Sequence, residues 1–488
     1  MHRSTALPPA RPRTSRLVLP GLIALVAGCA PLATRPDPPP QAARELPARW
    51  AQALPAAAAT DAKAQRDWWQ GFDDAQLPAL VDEALAHNLE LRAAASNLAR
   101  ARALRELSAA TQQPSLGLGA SAGRSRSAGR SVNSLRASLD ASWEADLFGA
   151  NDAALAAAAA DVDTAAAMLQ ATRLAVAAET GLAYLQWQDA RAQRAAAAAS
   201  LDSQQQTLAL VQLRERSGLA GGLEAEQARS AVQGLQARLA ALQHTQAQAA
   251  NALALLTGRN PAQAAELLER AQQRPAAQAV RAPALPALPQ PAQLLQRRFD
   301  LQAAQHRIES QLATLAQREA ERKPTLRLSG NLGLQAATWS ALGGSGALLA
   351  GLAAAIDWTL LDGGAGQARV QAQQAALEAA RIDWKAAVLA ATRDVEDALS
   401  ALASARQRED ALAQAVGAAD EALRLARIGF DAGLTDFLNL LDAERSALAA
   451  AESLVGARTD LAGSHIRLYK ALGGGWSRPD PDARSTRP

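Results

Sequence analysis

Residues 134–149 read SLRASLDASWEADLFG, and two patterns in this stretch decide the architecture. The first is alternation. Leu135, Ala137, Leu139, Ala141 and Trp143 fall on one side, and Arg136, Ser138, Asp140 and Ser142 on the other, which is the period-two signature of a strand. The second is recurrence. Trp143 and Gly149 return as Trp358 and Gly364, 215 residues later, and Gly218, Ala228, Leu253 and Gly258 return in the same register as Gly433, Ala443, Leu468 and Gly473. Upstream the offset is 210: Leu85, Leu91, Ala93, Ala94, Ala103, Pro114, Leu116 and Leu118 match Leu295, Leu301, Ala303, Ala304, Ala313, Pro324, Leu326 and Leu328. The difference of five must arise between Leu118 and Trp143, in a stretch that reads as a loop. Solenoid repeats have periods of roughly 20–50 residues, so this period marks a duplicated domain with its copies side by side.

Three more segments alternate. Residues 115–122 set Leu116, Leu118, Ala120 and Ala122 against Ser and Gly; residues 325–334 set Leu326, Leu328, Leu332 and Leu334 against Arg327, Ser329 and Asn331; residues 351–358 alternate more weakly through Leu352, Ala354, Ile356 and Trp358. The loops between them, Ser125–Asn133 and Ser340–Gly346, are rich in Ser, Gly and Arg and suit water. About 9–11 residues suffice for a strand to cross a bilayer in a barrel, although two hairpins on a soluble sheet also fit the pattern. Four strands are too few to close a barrel, since the smallest membrane barrels have about eight. An open sheet edge in lipid leaves backbone groups unsatisfied. Strands that cross a membrane here must therefore be shared between subunits.

The rest of each copy reads as helix. A segment of about 33 residues (near 80–112 and 293–322) ends at Pro114 or Pro324. A very long Ala-rich helix is expected over about 151–217 and 365–432, then a Gly-containing turn, then a helix of about 35 residues returning to Gly258 or Gly473. At 1.5 Å per residue a helix of that greater length spans roughly 100 Å, about the length of two shorter ones end to end. A long helix beside two stacked short ones is a closed unit, with coiled-coil-type packing summed along its length. Aromatic residues make up only 3% of the chain, a composition of long helices and not of thick globular cores.

The ends add targeting information. Arg3, Arg11, Arg13 and Arg16 precede the apolar run Leu17–Ala27, which is too short to span a bilayer and resembles a signal peptide. The run ends in Val26-Ala27-Gly28-Cys29, and Cys29 is the only cysteine of the chain. That pattern resembles the bacterial lipoprotein box, in which the cysteine becomes the lipid-bearing first residue. Ala30 follows, where an Asp tends to retain lipoproteins in the inner membrane. Removal of residues 1–28 takes the formal charge from +3 to −1, so the mature chain lacks the basic footprint of a nucleic-acid binder. Proline-rich residues 30–47 read as an extended tether, and Pro275, Pro283, Pro286, Pro289 and Pro291 mark a connector between the copies.

The five histidines, His2, His87, His244, His306 and His465, are scattered without metal-ligand spacing, and no phosphate-binding Gly-rich loop with Lys-Ser/Thr occurs. The acids Glu224 and Glu226 read as a solvated helix face. No nucleophile constellation is legible, and an enzyme is not expected.

Several ordered motifs carry a family resemblance: Trp68-Trp69-Gln70-Gly71-Phe72, Leu85 through Ala94, Ser142 through Gly149, Asp357-Trp358 through Gly364, Gly433 through Ala443, and Leu468 through Trp476. Over about residues 29–476 the chain resembles the TolC-like outer-membrane factors, in their OprM/NodT lipoprotein branch. The resemblance implies a mostly α subunit that gives four strands to a trimeric twelve-stranded transmembrane barrel and its long helices to a periplasmic α-helical barrel. It implies the exit duct of a tripartite efflux system, with a periplasmic adaptor and an inner-membrane RND-type transporter as partners, and no cofactor beyond covalent lipid on Cys29. It places a gate at the turns farthest from the barrel, around Gly218–Gly222 and Gly433–Asp442. There Asp436 and Asp442 are the acids, Asn439 stands where some members have a carboxylate, and Thr435 where some have an Arg. Asp436 also fits a helix N-cap, and Asp442 could face a neighbouring helix. A type I secretion exit and a non-pore periplasmic coiled-coil lipoprotein remain the alternatives. The expected organisation is a signal peptide (1–28), a lipidated tether and equatorial segment (29–78), a first repeat (79–260), a connector (261–292), a second repeat (293–476) and a tail (477–488).

Overall fold

The computed structural model describes residues 47–52, 67–127, 129–273, 275, 280–281, 288 and 290–474. Cys29, the signal segment and most of the proline-rich tether lie outside the described residues. The chain divides into two compact units.

The first unit comprises Pro114–Asp152 and Gln317–Gly363 and holds the sheet. Its strands are β1 (Ser115–Ser127), β2 (Arg130–Ala145), β3 (Thr325–Ala336) and β4 (Leu348–Asp357). They pair antiparallel in sequence order, β1-β2-β3-β4. The strands β1 and β2 stay paired out to Ser127 and Arg130, a connection far tighter than the Ser125–Asn133 loop expected from composition, and the five extra residues of the second copy sit in the connection from β3 to β4. The register sets Leu139 opposite both Leu118 and Leu332, and Asp140 opposite Gly117 and Asn331. Apolar and polar residues therefore share faces across all four strands. The apolar face is bare within one chain: Leu118 is 80% exposed and Leu352 90%. On the polar face Arg136 donates to Asp140 (3.2 Å) and to Ser138, which donates to Asp140 at 2.8 Å, while Arg327 lies 3.9 Å from Glu144. The outer edges of β1 and β4 have no strand partner among the described residues.

The second unit, Pro39–Gln113, Ala153–Ala316 and Gly364–Pro488, is helical. Its elements are α1 (Gln76–His87), α2 (Leu89–Ala110), α3 (Ala150–Arg216), α4 (Gly222–Leu256), α5 (Ala264–Gln272), α6 (Leu294–Arg297), α7 (Phe299–Ala320), α8 (Ala365–Asp431) and α9 (Phe437–Ala471). The helices α3 and α8 each run 67 residues and α4 and α9 each 35. All four boundaries repeat at an offset of 215, so the duplication governs the backbone as it does the sequence.

One helix expected in each copy is in fact two. The segments near 80–112 and 293–322 break at Asn88 and at Arg298, again equivalent positions, where ψ swings to 133° and 120°. Asn88 accepts from the Leu91 amide as an N-cap and donates to the Leu256 carbonyl at the end of α4 (2.9 Å). Arg298 donates to the matching carbonyl at the end of α9, that of Ala471, and to Asp300 and Asp394. These side chains satisfy carbonyls that a helix C-terminus otherwise leaves open. The close approach needs glycine. Gly258 and Gly473 have φ of +70° and +87°, and a Cβ on them would stand 2.6 Å from the His87 carbonyl oxygen and 2.8 Å from that of Arg297.

The main core packs Trp68, Trp69, Phe72, Leu77, Leu80 and Val81 against Tyr184 and Trp187 of α3 and Ile466 and Tyr469 of α9. Trp68 stacks on Tyr469, and the Tyr184 hydroxyl donates to Asp74. The Trp68-Trp69-Gln70-Gly71-Phe72 motif is thus a plug that ties the turn at Trp68–Gly71 to helices of both copies.

Candidate functional site

The α3–α4 and α8–α9 connections are built alike. The amides of Leu219 and Leu434 return to the Arg214 and Gly429 carbonyls (both 2.8 Å), across Gly218 and Gly433 at φ of +72° and +71°. This is the glycine-dependent termination of a helix in the left-handed region. Both turns raise leucines into solvent: Leu219 and Leu434 are 79% and 81% exposed, and the equivalent pair Leu223 and Leu438 is exposed as well.

Beneath the turns the copies diverge. A cluster of Val211, Ala225, Ala228, Phe430, Phe437, Leu440 and Leu441 joins the ends of both helix pairs. Its aromatics come from the second copy only, since Glu215 and Gly222 occupy the positions equivalent to Phe430 and Phe437. Arg214 lies 4.2 Å over the Phe430 ring and donates to the Phe430 carbonyl at 3.2 Å. Deeper in, Glu444 of α9 is only 3% exposed. Its Oε1 accepts from Thr207 (3.1 Å) and Ser203 (3.3 Å) of α3 and from Arg427 of α8 (3.1 Å), and Arg427 also donates to Ser203. The equivalent of Glu444 in the first copy is Arg229, which reaches outward to Glu226. The charge at this position is reversed between the copies.

Among the residues expected at the gate, Asp436 is the N-cap of α9 and accepts from the Asn439 amide at 2.9 Å. Its counterpart, Gly221, gives α4 no side-chain cap. Asn439 is exposed, and Asp442 is exposed without an ion-pair or hydrogen-bond partner among the described residues. Thr435 packs its methyl group against Gly429, where a Cβ would come within 2.9 Å. The four residues share one turn and the first helical turns after it, but no side-chain contact joins Asp436 to Asp442.

Sequence reasoning missed Glu444, Arg427 and Arg214. An acid in an Ala-rich helix reads as solvated, and its α3 partners are 237 and 241 residues away. The legible signal is Arg229 aligned with Glu444.

Higher along the same helices, Asp189 accepts from Thr459 and Gln193, and burial raises its pKa above the usual carboxylate value. His465 is buried on α9 near Arg406, and burial followed by that cation lowers its pKa to about 4. No group of His, Cys, Asp and Glu among the described residues can hold a metal ion, and no helix among them is long and apolar enough to cross a membrane.

The family model for outer membrane efflux proteins matches residues 80–259 and 290–474, one match per copy. Outer membrane protein OprJ of Pseudomonas aeruginosa is 30% identical, with 84% of this chain and 86% of that protein aligned. The probable efflux pump outer membrane protein TtgC of Pseudomonas putida is 29% identical over 88% of this chain and 90% of its own length. Among solved structures, the outer-membrane channel OprN superposes with a TM-score of 0.76 at 30% identity, over 88% of this chain and 99% of OprN. The open state of the MtrE outer membrane channel of Neisseria gonorrhoeae gives 0.76 at 26% identity, over 88% and 96%.

Proposed function

The chain belongs to the outer membrane efflux protein family, and from that premise we propose that it is the outer-membrane exit duct of a tripartite efflux system. It passively conducts small molecules such as drugs and carries out no catalysis. Three subunits each give four strands to a twelve-stranded barrel and their long helices to a periplasmic tube. A periplasmic adaptor and an inner-membrane RND-type transporter complete the pump, and the transporter supplies the energy. Cys29 carries the lipid that anchors the chain in the outer membrane, and residues 1–28 are the signal removed before lipidation. The organisation into two repeats, 79–260 and 293–476, around a connector at 261–292 belongs to the same reading.

The observation that carries this reading is the open four-stranded sheet with one bare apolar face and two edges that have no strand partner among the described residues. Such edges are viable in lipid only when they close onto further strands. Purification from the outer-membrane fraction tests it. A heat-dissociable trimer that conducts ions in planar bilayers is expected; a soluble monomer or dimer without conductance would favour the coiled-coil lipoprotein instead.

The gate lies at the α8–α9 turn, with Asp442 as an exposed acid facing no partner among the described residues and Asp436, Asn439 and Thr435 shaping the turn. The contacts of Asp436 separate the two roles. Asp436→Ala should cost about 1 kcal/mol of stability through loss of the cap, and Asp436→Asn almost nothing. Asp442→Ala should leave stability unchanged and raise single-channel conductance and the uptake of a large antibiotic. Unaltered conductance in Asp442→Ala, alone and combined with Asp436→Ala, would remove both residues from the gate.

A further inference from the structure

The strands join the helices at one end of the sheet and run on to a free end, and charge is spread unevenly between the two. On the apolar face of β2 the row Leu135, Ala137, Leu139, Ala141, Trp143 and Ala145 covers about the 9–11 residues that a strand needs to cross a bilayer. Its partners continue the band, Leu118 and Ala122 on β1 and Leu332 and Leu334 on β3. The same face then turns cationic. Beyond Ala122 its next two residues on β1 are Arg124 and Arg126, opposite Asn133 and Ser131 of β2. Both arginines are exposed, and neither has an ion-pair or hydrogen-bond partner among the described residues. They lie two residues apart on one strand face, about 7 Å along the backbone.

No acid stands near them. Residues 113–139 and 322–356 contain no Asp or Glu. Glu144 and Asp357 lie at the helix-joined end of the sheet. Asp140 lies on the opposite face, roughly 20 Å along β2 from Asn133, and is held by Arg136 and Ser138. Closure of a barrel brings no acid either. The open edges are β1 and β4, so identical subunits lay β1 of one against β4 of the next, and β4 up to Ile356 and its connection from β3 fall within the acid-free 322–356. The second copy has no counterpart of the two cations, since residues 337–347 between β3 and β4 hold no charged residue at all.

We propose that Arg124 and Arg126 form a binding site for the phosphate groups of an outer-leaflet lipid, one per subunit, where the apolar face of the sheet meets water at its free end. The inference rests on the membrane-barrel reading above, which places the helix-joined end on the periplasmic side and the free end outside. Guanidinium groups bind phosphate through paired N–H donors, and cations beside a membrane select anionic headgroups electrostatically. Position on the strand decides the kind of partner. At this height Ser125 and Val132 lie on the polar face, toward the channel, whereas Arg124 and Arg126 share the face of Leu116 and Leu118. They therefore stand at headgroup depth, with the acyl chains of the lipid along the apolar band. A soluble anion has no use for that band. One basic hairpin per chain gives a trimer three such sites and not six.

Native mass spectrometry of the purified trimer with lipid A, either bisphosphorylated or stripped of both phosphates, tests the site. The wild-type trimer should retain up to three bisphosphorylated molecules in preference to the stripped form. Arg124→Gln with Arg126→Gln should weaken that preference roughly thirtyfold, from two cations near the surface. Arg327→Gln, which removes a cation from the polar face near the helix-joined end, should leave it unchanged. Inorganic phosphate at the concentration of the lipid should not displace it, and full displacement would show a site for the free anion instead. No preference in the wild type, an unaltered preference in the double Gln variant, or an equal loss in Arg327→Gln overturns the proposal. Failure to recover any membrane-embedded trimer sinks the duct reading itself, a separate outcome.

Discussion

Glu444 and Arg427 share one ion pair but not one environment. The carboxylate is 3% exposed, and its side chain ties α9 to Ser203 and Thr207 of α3; the guanidinium is 44% exposed. Removing one partner of such a pair costs according to what is left behind. Arg427→Met strands a buried charge with only two hydroxyls and should cost about 3 kcal/mol. Glu444→Gln leaves a cation that can turn to water and should cost about 1 kcal/mol. Thermal unfolding of purified trimers orders the two variants, and the reverse order would show that the pair does not hold α3 to the second helix hairpin. His465 supplies a pH test. Its pKa of about 4 in the fold lies below the ordinary value of 6.5, so the folded state favours the neutral ring. Stability is then complete above about pH 6.5 and declines as pH falls toward 4, by up to about 3 kcal/mol per chain. His465→Gln should flatten the fall in melting temperature between those pH values. A wild-type melting temperature constant over that window would contradict the burial argument.

At the scale of elements, the two copies are held by the same joint made with different side chains. Asn88 and Arg298 break equivalent helices and reach equivalent carbonyls, Leu256 and Ala471. The glycines at the joint carry two demands at once, a positive φ and the absence of a Cβ. Gly218 at the α3–α4 turn carries only the first, since nothing lies within 4 Å of a Cβ there. Gly218→Ala should therefore cost about 1–2 kcal/mol of backbone strain, while Gly258→Ala and Gly473→Ala must also displace a backbone carbonyl and should lower trimer yield. Equal yields for all three variants would refute the close-packing role. The joint also marks where sequence reading stops. Strand alternation and helix length are local, so β2 and the 67-residue helices are legible from 134–149 and from proline spacing. The breaks are not, because Asn88 and Arg298 look tolerable inside a helix and their partners lie 168 and 173 residues away. Gly433 and Asp436 likewise announce a turn and a cap, whereas the burial of Glu444 depends on α3 and cannot be read from α9 alone.

For the whole molecule, duplication builds symmetric ends and then uses them unequally. In the proposed trimer six hairpin turns point the same way, and each lifts two exposed leucines, Leu219 with Leu223 or Leu434 with Leu438. Scattered apolar residues on a surface need no explanation, but an equivalent pair kept on every turn forms a ring once three chains assemble. Burying one leucine against a partner contributes roughly 1.5–3 kcal/mol, so a ring of this kind offers the proposed periplasmic adaptor an apolar docking surface. The charged and capped features below the turns, Asp436, Arg427 and Glu444, belong to the second copy alone. Docking should then be shared by both copies, and gating should fall on one. Leu219→Asp and Leu434→Asp should each weaken co-purification with the adaptor, and the two together should abolish it and restore drug susceptibility. The double variant should still reach the outer membrane as a trimer, because neither side chain packs inside the subunit. If the single variants differ as widely as wild type and double variant, the copies do not share the contact. If the double variant retains both adaptor and efflux, the leucine ring is not the docking surface.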